Sequence, residues 1–155
     1  MTPKQDFWRL VLGLSLIVLP FFSLAQTPPE VVGYVKTVTG EAWVSTGGQR
    51  VQAQLGTAVL MGSQLKTAAG AAMGIAFKDN TVMSFGPDTE LTVDEYLYAP
   101  AQDQLKLAVR LVKGSLNYVS GVIARLKPEA VTVKTPTAII GVRGTQFVAK
   151  VEEAQ

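Results

Sequence analysis

Leucine or valine recurs at every second position from Leu105 to Leu111, and the residues between and after them are Lys106, Ala108, Arg110 and Val112. A helix of period 3.6 would scatter those apolar side chains around its axis, whereas a strand gathers them on one face. The segment therefore predicts a strand buried on one side, which needs other strands to pair with it. The remaining sequence supplies them. Residues 26–155 hold 18 valines and 13 threonines, which suit a pleated surface, and 13 glycines that cut the chain into short elements. The expected class is all-β.

Further strands follow from the same alternation. Val31 to Val38 opens the series and ends at Gly40, and Glu41 to Ser45 is expected to answer it across a tight turn that closes at Gly47-Gly48. Val51 to Leu55 is a weaker strand. Gly74 to Phe77 and Thr81 to Phe85 flank the polar turn Lys78-Asp79-Asn80, and Gly86-Pro87-Asp88 leads into Glu90 to Glu95. Val131 and Val133 lie in another strand, and Ala138 to Val151 is expected to close the fold as one. Only Val122 to Leu126, stopped by Pro128, suits a turn or two of helix.

Composition removes most chemistry. The 155 residues include no histidine and no cysteine, which excludes disulfides, the usual zinc and iron–sulfur ligand sets, thiol nucleophiles and histidine-based triads. A formal charge of +2, from 14 basic and 12 acidic residues, gives no concentrated basic face for nucleic acid. The adjacent carboxylates Asp94-Glu95 and Glu152-Glu153 should point to opposite faces of their strands rather than converge. Gly141-x-x-Gly144 lacks the strand-to-helix setting and the lysine of a phosphate loop. No catalytic residue, metal or cofactor is expected, and the chain does not read as an enzyme.

The N-terminus carries a different signal. Lys4 and Arg9 precede an apolar run from Leu10, and Ser23 and Ala25 form a small-x-small exit before Gln26. That is the pattern of a secretory signal peptide. From Leu10 to Ala25 there are 16 residues, against about 20 for a spanning helix, so cleavage is favoured over an anchor. The expected organisation is a signal peptide over 1–25, an extended leader over 26–30, one β domain over 31–151 and a tail over 152–155. The product is then exported, to the periplasm or outside the cell, without a stable membrane span.

One segment stands apart: Thr135-Pro-Thr-Ala-Ile-Ile-Gly-Val-Arg-Gly-Thr-Gln-Phe147. Unbroken alternation puts Arg143 on the inner face with Ile139 and Phe147, where a guanidinium must be fully paired. A bulge at Gly141 or Gly144 re-aims it outward as an anion or partner contact. The buried clamp is the expectation. Thr135, Pro136, Gly141, Arg143, Gly144 and Thr145 are the candidate structural or partner-contact residues. A weaker echo, an apolar-Lys-Thr start at Val35, Leu65 and Val133, fits an irregular coil of stacked strands and equally a coincidence of composition.

The same segment resembles the closing motif of the FecR domain family. Earlier landmarks come in order: Val32-Gly-Tyr-Val-Lys-Thr-Val-Thr-Gly-Glu-Ala-Trp43, Leu60-Met-Gly-Ser-Gln-Leu-Lys-Thr67, Phe77-Lys-Asp-Asn-Thr-Val82, Gly86-Pro-Asp-Thr-Glu-Leu91 and Leu111-Val-Lys-Gly-Ser-Leu116. The resemblance covers about residues 31–151. It implies an all-β, solenoid-like coil or roll of short strands outside the inner membrane. It also implies kinship with regulators that relay an occupied outer-membrane iron transporter to a cytoplasmic sigma factor. Those regulators carry a cytoplasmic anti-sigma segment and a membrane span ahead of the domain, and neither is read here. The expected role is a non-catalytic exported module that binds a protein partner or cell-envelope component, in signalling or regulation. The alternative is a structural component of an extracellular or envelope assembly, joined by strand addition.

Overall fold

A computed structural model describes residues 28–152 of the chain. The expected signal peptide, the first two residues of the leader and the last three of the tail lie outside the described residues. The chain forms β1 (Val31–Thr39), β2 (Ala42–Thr46), β3 (Gln49–Gln52), β4 (Ala58–Leu60), β5 (Gln64–Thr67), β6 (Ala72–Phe77) and β7 (Val82–Phe85). It continues with β8 (Glu90–Ala99), β9 (Gln104–Val119), α1 (Val122–Leu126), β10 (Val131–Lys134), β11 (Ile139–Gly141) and β12 (Gln146–Val151). The all-β expectation holds, and the short helix falls on the residues foreseen for it. No helix among the described residues is long and apolar enough to cross a membrane.

The twelve strands make one curled sheet in the order β3-β2-β5-β8-β9-β7-β6-β1-β4, with β10 and β12 added to β9 and β11 to β10. The long β9 belongs to both halves. Its residues up to Lys113 pair with β8 and, in parallel, with β10, whereas Gly114 to Val119 pair with β7 and β12. Gly114, at φ +89°, marks the change. Leu105, Leu107, Val109 and Leu111 face the core as their spacing requires, joined by Leu116 and Tyr118 beyond the glycine. One hydrophobic cluster runs through these residues from Val32 to Ala149.

Three local expectations are corrected. β1 and β2 form no hairpin, because β1 spends one edge on β4 and the other on β6 and has none left; β2 pairs with β3 and β5 instead. Ala138 to Val151 is not one strand but two, β11 and β12, separated by an irregular stretch containing Gly144 at φ +127°. Asp94 and Glu95 do not point to opposite faces. The β8–β9 register shifts between Val93 and Glu95, and both carboxylates stand outside the core. Arg110 holds the Asp94 carboxylate through Nη2 at 2.9 and 3.0 Å and Nε at 3.3 Å. Strands β4 and β5 had no counterpart in the sequence reading.

Candidate functional site

The end of the chain shapes a groove. β10 leaves the parallel ladder on β9, turns at Thr135–Ala138 and returns as β11. Thr135 closes that turn: its N–H donates to Ala138 O at 2.8 Å, and its Oγ1 accepts from Ala138 N–H at 3.0 Å. The chain then crosses to the far half of β9 and runs along it as β12. Between β11 and β12 lies a groove of about 800 Å³ whose lining includes Ile140, Arg143, Phe147, Val148 and Val151. Phe147 is half-buried and stacks on the fully buried Tyr118 at 4.9 Å between ring centres.

Four of the six sequence-predicted residues, Thr135, Pro136, Gly141 and Arg143, line this groove. Gly144 joins Gly141 and Arg143 on an adjoining depression that reaches Pro128 and Glu129. Thr145 lines neither and instead fixes where β12 begins, its carbonyl accepting from Ser120 N–H at 2.8 Å. The structure thus gathers most of the motif in one place.

Arg143 is exposed, not buried. Arg143 does share a face with Ile139, but that face is the outer one, and the break at Gly144 separates it from Phe147. Ile139 is itself 71% exposed, while Val142 takes the inner position at 3%. No ion pair holds the guanidinium among the described residues. Arg143→Ala should therefore change unfolding free energy by no more than about 0.5 kcal/mol in denaturant titration. A loss several times larger would restore the clamp.

Sequence reasoning missed Asp79. It was read as one residue of a polar turn, and it is fully buried. Its carboxylate accepts four hydrogen bonds, from Thr81 N–H at 3.2 Å, Thr81 Oγ1 at 2.8 Å, Ile123 N–H at 3.1 Å and Tyr96 Oη at 3.3 Å. The two bonds from Thr81 are the usual two-residue reach of an Asp turn; those from Tyr96 and Ile123 come from distant elements. Its own N–H donates to Tyr96 Oη at 2.9 Å, and its carbonyl accepts from Val122 N–H at 2.7 Å. The hub fastens the start of α1 and the β8 strand to the β6–β7 turn. Gly121 lets the chain come that close, since a Cβ there would collide with the main chain of Asp79 and Thr81.

Burial, and then the Asp79 charge, push the Tyr96 phenol well above the usual tyrosine range. The folded chain keeps that proton after the unfolded chain has released it near pH 10. Stability from this source is thus complete below about pH 10 and lost as pH rises further. Tyr96→Phe should flatten the alkaline limb of a stability-versus-pH curve; an unchanged limb would count against the burial.

Among the described residues no three acidic side chains meet closely enough to hold a metal ion. The groove offers main chain, apolar surface, the Thr135 hydroxyl, the Lys150–Glu152 pair and the Arg143 guanidinium.

No curated protein and no solved structure matches the chain. The family model described as FecR protein matches residues 63–155, more than half of the sequence, and that stretch includes every groove-lining residue named above. It begins after the Val32–Trp43 landmark, which rests on the resemblance alone. By the span of that match, from Ser63 through the groove to the last residue, the chain belongs to the FecR family.

Proposed function

We propose that this is a non-catalytic, exported FecR-type domain that binds a protein partner or envelope component through its C-terminal groove. Family membership points to a regulatory or signalling role. The observation that carries the reading is the gathering of Thr135, Pro136, Gly141 and Arg143 around one groove. Motif residues needed only for packing would be buried, and Pro136, Gly141 and Arg143 are exposed. The architecture is read as the roll rather than the coil, and as one folding unit. One continuous core supports this, as does a set of ladders that are antiparallel except for β9–β10.

Export is tested by the intact mass of the protein from its native host. Cleavage between Ala25 and Gln26 is the expected result, and a full-length species in the membrane fraction would overturn it. Binding is tested by cross-linking in the native envelope with wild type and Arg143→Glu. Recovery of a regulator or transporter that Arg143→Glu no longer captures supports signalling. Recovery of a polymeric envelope component instead favours the structural alternative.

A further inference from the structure

Among the described residues both strands that flank the groove have an unpaired side: β12 bonds to β9 alone, and β11 to β10 alone. Ser120 N–H donates to Thr145 O at 2.8 Å, and bonded pairs alternate along an antiparallel ladder. Phe147, Ala149 and Val151 therefore bond to β9, and the N–H and C=O groups of Gln146, Val148 and Lys150 turn to the open side. The bonds Thr135 N–H to Ala138 O and Val142 N–H to Val131 O set the phase of β11 in the same way. They turn the main chain of Ile139 and Gly141 outward.

Natural sheets defend open edges with charge, proline or brevity. β11 is short, but β12 is six residues long and carries Val148 at its middle, 71% exposed. Inside the groove, Ile140, Phe147 and Val151 are half-buried and pack against the core with one side uncovered. They make an apolar floor beside a hydrogen-bonding edge, which together suit an extended peptide.

We propose that an extended segment of a protein partner adds as a strand to the open edge of β12. Its alternate apolar side chains cover Ile140, Phe147 and Val151, and its carboxylates face Arg143. The proposal rests on the partner-binding reading and specifies how the partner is held. Charge selects a partner over a second copy of this chain. On the groove rim Lys150 and Glu152 neutralise each other at 2.8 Å, which leaves Arg143 as a cation with no ion pair among the described residues. Two copies joined through β12 would offer Arg143 no carboxylate, since Gln146–Val151 contains none.

The probe is a synthetic peptide of alternating valine and glutamate, about seven residues long, read by amide hydrogen exchange of the protein isolated from its host. At saturation, exchange of the Gln146, Val148 and Lys150 amides should slow about tenfold or more. Val148→Pro removes an N–H that the β9 ladder does not use, at a position where an edge strand tolerates proline. It should weaken binding about tenfold, as should N-methylation of the central peptide valine. Arg143→Glu, which leaves the main chain untouched, should do the same and serves if the proline variant fails to fold.

Unprotected β12 amides, protection at β3 or β4 instead, or equal affinity of a folded Val148→Pro would overturn the proposal. Protection of β12 that rises with protein concentration in the absence of peptide would assign the edge to a second copy, and overturn it too. Cross-linking in the native envelope separates this from the reading beneath it. A partner captured equally by wild type and Val148→Pro overturns the strand addition alone, and a chain that captures nothing overturns both.

Discussion

Asp79→Ala should destabilise the fold by about 3–5 kcal/mol, because it strands buried donors that have no other acceptor. Thr81 N–H and Ile123 N–H are fixed by the backbone and cannot turn to new partners. The Thr81 and Tyr96 hydroxyls can rotate, so their share of the loss is smaller. Asp79→Asn keeps the volume but sets an amide donor against one of those N–H groups, and should cost roughly half as much. A double-mutant cycle with Tyr96→Phe isolates the Asp79–Tyr96 bond, and a coupling of about 1–2 kcal/mol is expected. Denaturant unfolding of the four proteins is the measurement. A shift below about 1 kcal/mol for Asp79→Ala would show that water satisfies the donors and that the hub is not structural.

This residue marks a boundary between what local sequence discloses and what it does not. The β6–β7 hairpin was legible because its determinants are neighbours: alternating strands, then Asp79 and Asn80, with Asn80 at φ +64°. The partners Tyr96 and Ile123 stand 17 and 44 residues away, and no periodicity predicts which distant donor meets a turn carboxylate. The same limit hid the pairing of β1, whose two edges are claimed by strands later in the chain.

Arg143 failed for a different reason. Alternation assigns faces correctly only while the backbone stays extended, and Gly144 interrupts it. The glycine was noticed, yet sequence alone did not say whether it continued the strand or ended it. Four of the six motif residues nonetheless line one groove. The groove came from the break in the strand, which the motif did not reveal.

Gly114→Ala should be the most damaging change of one methyl group, costing about 3 kcal/mol or more. Two effects combine there. At φ +89° the backbone occupies a region that L side chains rarely adopt, and an added Cβ would run into the Cα, Cβ and Oγ1 of Thr89. Thr89 has no room to retreat. Its hydroxyl accepts from Ser115 N–H at 3.0 Å, and its own N–H donates to Thr67 Oγ1 at 2.9 Å. Gly47, at φ +58° with nothing within 4 Å of an added Cβ, supplies the comparison, since Gly47→Ala has the strain without the collision and should cost about 1 kcal/mol. The difference between the two variants in denaturant unfolding measures the collision alone. Equal shifts would mean that the turn before β8 yields, and that β9 is not held at its bend by Thr89. The bend matters beyond stability, because it directs the first half of β9 toward β10 and the second toward β12. β10 leads into β11, which with β12 flanks the groove, so a variant that folds but relaxes the bend should lose the peptide binding proposed above while keeping its strand content by circular dichroism.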